Sequence, residues 1–64
     1  MEIDKNLSKL LEKSNIKAFE LADKAKLYRS NVYDLLNGKN TNPTIRTIKA
    51  ISDALGVTVD EIIK

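Results

Sequence analysis

ELADKAKLYRSNVYDLLNG, residues Glu20–Gly38, carries the strongest structural pattern in this chain. Apolar residues recur there at spacings of three and four, which predicts two short amphipathic helices joined by a tight turn. The apolar set is Leu21, Ala22 and Ala25, then Leu27 in the turn, then Val32, Leu35 and Leu36. At about 100° per residue, the opposite arc of the second helix collects Arg29, Ser30, Tyr33, Asp34 and Asn37. Such a polar, hydrogen-bonding arc suits a DNA major groove, and it is equally typical of a solvated helix face.

The length and composition indicate one small domain, residues 1–64, that depends on packing alone. A chain of about 60 residues buries only about 60% of its unfolded surface. Cysteine and histidine are both absent, which excludes disulfides and thiolate metal sites and removes the commonest general base. The carboxylates show no paired arrangement typical of catalysis. We therefore expect no enzymatic activity, no cofactor, no metal and no small-molecule ligand.

The charge distribution is uneven along the chain, although the formal net charge is only +2. Between residues 24 and 46 there are five basic side chains and one acidic one, whereas residues 50–64 carry one basic and three acidic side chains. This asymmetry would orient the domain toward a polyanion. No apolar run approaches the roughly 20 residues that span a bilayer, and no signal-peptide pattern is present. We therefore expect a cytoplasmic protein with no membrane partner.

The rest of the chain predicts three further helices, and no segment alternates like a strand. Asp4 is a candidate N-cap for the first helix, Thr44 for the fourth, and Thr58 with Glu61 forms a capping box for the fifth. Gly38 and Gly56 mark helix ends, because glycine accepts the left-handed conformation. The prediction is an all-α domain with helices at about 4–13, 18–25, 29–36, 45–55 and 59–63.

These residues together resemble the Cro/repressor-type helix-turn-helix DNA-binding domains of phages and bacteria, over about residues 7–63. The matching positions are Leu21-Ala22, Leu27, Val32, Asn37-Gly38-Lys39, Asn42-Pro43 and Leu55-Gly56-Val57. Each of these short matches occurs often by chance, but their combined spacing is specific to this family. The resemblance implies a compact five-helix fold of the lambda-repressor-like type, with the helix-turn-helix in the second and third helices.

The resemblance also implies a function, which is binding of double-stranded DNA by a transcriptional regulator, as a repressor. The third helix, about 29–36, would enter the major groove and contact bases through Arg29, Ser30, Tyr33 and Asp34. Arg29 suits a guanine edge, while Asp34 suits a cytosine amine or would orient Arg29 instead. Phosphate contacts would come from Lys17, Lys26, Tyr28, Asn31, Asn37, Lys39, Asn40, Thr41 and Arg46. A homodimer would form through the C-terminal residues Val59, Ile62 and Ile63, unless these only close the core.

Four departures from the family pattern fall on the expected DNA face. Lys17 replaces the residue that usually caps the second helix, Ala18 replaces a phosphate-binding glutamine, Lys26 replaces the turn glycine, and Tyr28 replaces the cap of the third helix. A lysine in the left-handed region costs on the order of 1 kcal/mol, and a lost cap costs about as much. The added cations favour retained DNA binding, whereas the lost contacts favour an alternative, a protein-interaction module that has lost DNA binding.

Overall fold

The computed structural model describes residues 2–64, which form five α-helices and no strand. In chain order these are α1 (Ile3–Ser14), α2 (Ala18–Ala25), α3 (Arg29–Leu36), α4 (Ile45–Leu55) and α5 (Val59–Ile63). The all-α helix-turn-helix fold predicted from the sequence is therefore confirmed. Among the described residues, no helix combines the length and apolar composition needed to cross a membrane.

α1 is one residue longer at each end than the predicted range 4–13, whereas α2 to α5 occupy the expected ranges. α1 begins at Ile3 with Glu2 at the N-cap, so the assignment of Asp4 as N-cap is wrong. Asp4 lies in the first turn, where a carboxylate interacts favourably with the positive end of the helix dipole. The apolar Ile3 is 3% exposed, and its burial accounts for the earlier start.

The core is formed by one inward-facing stripe from each helix. α3 packs on both α1 and α2, α4 packs on α2, and α5 closes the domain against α1 and α4. The Asn6 side-chain amide also donates to the backbone oxygen of Ile62 at 2.9 Å, which fastens α1 to α5. The buried apolar residues are Ile3, Leu7, Leu11, Leu21, Ala22, Val32, Leu35, Ile48, Ile51 and Ile62. Because Val32 and Leu35 belong to this core, the opposite face of α3 is directed to solvent.

The predicted caps of α4 and α5 are present. The hydroxyl of Thr44 accepts from the backbone N–H of Thr47 at 3.2 Å. At α5, Thr58 Oγ1 accepts from the Glu61 N–H at 3.3 Å, and Glu61 Oε2 accepts from the Thr58 N–H at 2.8 Å. Such caps satisfy backbone donors that have no partner inside the helix.

The start of α2 retains half of a capping box. Lys17 offers no side-chain acceptor, but its backbone N–H donates to Glu20 Oε1 at 3.0 Å. The departure at Lys17 therefore removes one of the two capping bonds and leaves the other.

Lys26 ends α2 in the left-handed conformation, with φ 58°. This conformation was expected, because Lys26 stands where the family has its turn glycine. Lys26→Gly should stabilise the domain by up to about 1 kcal/mol, because glycine carries no steric penalty in this region and only part of the gain is lost to backbone entropy. For a domain of this size, 1 kcal/mol corresponds to a rise in melting temperature of about 4–8 °C.

The matched control is Asn15→Gly, at the other left-handed non-glycine position, φ 55°. Asparagine tolerates this region better than lysine, so Asn15→Gly should give a smaller gain. Thermal unfolding followed by circular dichroism compares the two. A lower melting temperature for Lys26→Gly would contradict the strain assigned to this turn.

Candidate nucleic-acid interface

The turn between α2 and α3 sets the position of the first turn of α3. After Lys26, the backbone N–H of Leu27 donates to Ala22 O at 2.9 Å, and the Leu27 side chain packs against the core. Tyr28 then takes an extended conformation at the N-cap of α3, and its carbonyl accepts from Asn31 at 3.0 Å. The N-terminal end of α3 is therefore fixed by the backbone bonds of Leu27 and Tyr28 and by a half-buried leucine between the two helices.

The outer face of α3 is exposed at most of its positions. Arg29, Ser30 and Asn31 are exposed, and Tyr33 retains 47% of its surface. Asp34 is half-buried, so it is less accessible to a ligand than the other three residues predicted to contact bases. The structure therefore brings Arg29, Ser30 and Tyr33 together on one accessible surface.

Arg29 contacts two side chains of α2. Its Nη2 lies 3.4 Å from Asp23 Oδ2, and its guanidinium carbon lies 5.4 Å from the centre of the Phe19 ring. The carboxylate beside Arg29 is therefore Asp23 and not Asp34, which the sequence analysis offered for that position. Phe19 and Asp23 were not singled out from the sequence, because their contacts with Arg29 cross the turn between two helices. The one signal available was their four-residue spacing, which places both on the same side of α2.

The loop after α3 is ordered by its own asparagines. Asn37 Oδ1 accepts from the Lys39 N–H and Asn40 Oδ1 accepts from the Asn42 N–H, each at 3.0 Å. The backbone N–H of Asn40 also donates to the Asp34 carbonyl at 3.0 Å. These bonds use the amide oxygens, so the amide N–H₂ groups of Asn37 and Asn40 can still donate to an anion. Thr41 is exposed beside them.

The residues predicted to contact phosphate are all exposed, and they come from the start of α2 at its N-cap, the turn, α3, the following loop and α4. Tyr28 is 80% exposed at the head of α3. The cations of this set, Lys17, Lys26, Lys39 and Arg46, form no ion pair with any residue between 2 and 64. Their charges are therefore available to an external anion.

A separate groove lies between α1 and α5 and contains none of the predicted DNA-contacting residues. It is open to solvent, has a volume of about 410 Å³ and is lined by Asn6, Lys9, Leu10, Lys13, Glu61 and Lys64. Within residues 2–64, no three potential metal-ligating side chains come together.

The C-terminal residues divide between the core and the surface. Ile62 is 0% exposed, so its prediction as a dimer contact is wrong, because α5 directs this side chain into the core. Val59 and Ile63 are half-buried and pack against the same core, and each retains some accessible surface.

Comparison with known protein families identifies the family of this chain. The family model of the Cro/C1-type HTH DNA-binding domain matches residues 6–64. No curated protein sequence matches the chain significantly. Since the family match covers all five helices except the first residues of α1, the chain belongs to the Cro/C1-type helix-turn-helix DNA-binding domain family.

Proposed function

We propose that this domain binds double-stranded DNA in a sequence-specific way, with α3 in the major groove, and acts as a transcriptional repressor. The observation that carries the proposal is the exposed face of α3, with Arg29, Ser30 and Tyr33 outward and Val32 and Leu35 buried beneath. Base edges in the major groove are read by such side chains at the N-terminal end of a recognition helix. The proposed base contacts are Arg29, Ser30, Tyr33 and, with less accessible surface, Asp34.

Phosphate anchoring would come from the unpaired cations and amides around this face. Lys17 and Lys26 flank α2, while Lys39 lies in the loop after α3 and Arg46 in the first turn of α4. Such contacts fix the register of a protein on the duplex without reading its sequence. Tyr28, Asn31, Asn37, Asn40 and Thr41 complete the proposed phosphate set.

A homodimer would place two copies of α3 about one helical turn apart, roughly 34 Å, on the same face of the duplex. For its interface we propose the C-terminal end, with Val59 and Ile63 as the contacts. Such a dimer would repress transcription where its site overlaps a promoter, because the bound protein would exclude polymerase.

The test of this function is fluorescence anisotropy with a mixed-sequence duplex, titrated at several salt concentrations. We expect the affinity to fall steeply with salt, with a logarithmic slope of about −0.9 for each phosphate neutralised. Absence of binding at low salt would overturn the proposal and favour the protein-interaction alternative. In that case the groove between α1 and α5 becomes the first surface to probe.

A further inference from the structure

Two side chains of α2 border Arg29, the first residue of α3. Asp23 Oδ2 accepts from Arg29 Nη2 at 3.4 Å, and the guanidinium lies over the Phe19 ring with 5.4 Å between the guanidinium carbon and the ring centre. Phe19 and Asp23 are one helical turn apart on α2, and neighbours at this spacing lie on one face of a helix. Arg29 thus extends back over α2, between an aromatic face and a carboxylate.

We propose that Phe19 and Asp23 are positioning residues that direct Arg29 to a guanine, so that α2 as well as α3 determines which base pair the domain selects. This inference rests on the proposed function, because it requires Arg29 to face the major groove. It adds two residues of α2 to the specificity of the site, although neither is placed in direct contact with a base.

The donors of Arg29 are sufficient for both partners. A guanidinium has five N–H donors in one plane, and Nη2 carries two of them, one on the edge shared with Nε and one on the edge shared with Nη1. Asp23 accepts from Nη2 alone, so one of these two edges keeps both of its donors. Guanine presents two acceptors in the major groove, O6 and N7, which match a pair of such donors. Arg29 can therefore bind guanine while Asp23 and Phe19 remain in place.

Positioning increases discrimination because it removes alternative orientations of a long side chain. An unrestrained arginine must give up rotamer freedom when it binds, and it can also turn to the nearest phosphate. Stacking on Phe19 restricts the plane of the guanidinium, and Asp23 fixes which edge faces outward. The ion pair is long and its two side chains are 60% and 61% exposed, so it is weak enough to permit a small adjustment on binding.

The charge of Asp23 has an opposite effect on generic binding. A carboxylate near the duplex is repelled by the phosphates. This repulsion weakens every complex in which the favourable contact between Arg29 and a guanine is missing. Asp23 therefore lowers the affinity for generic DNA and raises the preference for the correct site. A purely structural role would not move these two quantities in opposite directions.

The test measures a ratio of affinities by anisotropy. The preferred duplex is selected from a random pool, and the base pair read by Arg29 is the one whose preference disappears in Arg29→Ala. The ratio compares this duplex with one carrying A·T in place of that G·C pair, and we expect about a 5- to 150-fold preference in the wild type. Because both affinities come from one preparation, the ratio does not depend on the fraction of folded protein.

Asp23→Asn and Phe19→Leu should each lower this ratio by about twofold to fivefold. Asp23→Asn should also strengthen binding to a mixed-sequence duplex. Phe19→Leu removes no charge, so it should leave the salt dependence of that binding unchanged. Phe19→Tyr keeps the aromatic face and should retain the wild-type ratio. Asp53→Asn is the charge-matched control, since Asp53 forms a similarly exposed pair with Lys49 on α4 at 2.8 Å, and it should leave the ratio unchanged.

The outcomes separate this inference from the proposed function. If Arg29→Ala abolishes a guanine preference that Asp23→Asn and Phe19→Leu both retain in full, the positioning role is wrong and the proposed function stands. If the selected base pair is not G·C, the inference is likewise overturned. If the wild type binds no duplex, the proposed function fails, and the positioning role fails with it.

Discussion

Leu35→Ala should lower the free energy of unfolding by about 2–5 kcal/mol. Leu35 is 1% exposed and lies on the inner face of α3, so truncation leaves a cavity beneath the helix that carries the proposed base contacts. A domain of this length has a total stability of only about 3–10 kcal/mol. Urea denaturation followed by circular dichroism measures the loss, with the midpoint falling and the slope unchanged.

The matched control is Leu36→Ala, one residue further along the same helix. Leu36 is half-buried at the edge of the core, so the same truncation should cost less there. An equal or larger cost at Leu36 would contradict the assigned orientation of α3. Since the exposed arc of α3 lies opposite Leu35, that result would also mean that the proposed DNA-binding face is assigned to the wrong side of the helix.

Arg29→Ala should reduce the preference for the selected duplex over a shuffled one by about 1–3 kcal/mol, which is up to roughly 150-fold. The reason is that a base-edge contact contributes to the correct site alone, and no neighbouring side chain replaces a bidentate donor. Anisotropy with both duplexes at one fixed salt concentration gives the ratio. An unchanged preference would show that α3 does not read the sequence through Arg29.

Lys39→Ala separates base reading from phosphate anchoring. Lys39 is exposed in the loop after α3 and forms no ion pair with a described residue. Its loss should weaken binding to both duplexes alike and reduce the magnitude of the salt slope by about 1. A selective loss at the preferred duplex would instead assign Lys39 a base contact.

Local signals in the sequence were sufficient for most of the fold. Thr44, Thr58 and Gly56 act at the helix ends where their chemistry predicts them, because caps depend on residues close in the chain. The left-handed Lys26 was also predictable, because the family resemblance places it where the turn glycine usually stands. Asn15 adopts the same conformation at the end of α1, and its tolerance of positive φ was the available signal.

The interface was less accessible to sequence reasoning because its contacts join separate helices. Asp23 and Arg29 are six residues apart and meet only after α2 and α3 have packed. Ile62 and its neighbours in α5 lie on a helix of five residues, which is too short for apolar periodicity to separate core from surface. Ile62 is buried because α5 packs against α1 and α4.

The most direct test of α3 as the DNA-binding face is a nuclear magnetic resonance titration of ¹⁵N-labelled protein with the selected duplex. We expect the largest amide shifts on residues 28–34 and on the 37–41 loop, with smaller ones at Lys17 and Arg46. The groove between α1 and α5, including Lys9, Lys13 and Lys64, should remain unshifted. Shifts concentrated in that groove, with α3 unchanged, would contradict the assignment of α3 as the DNA-binding face.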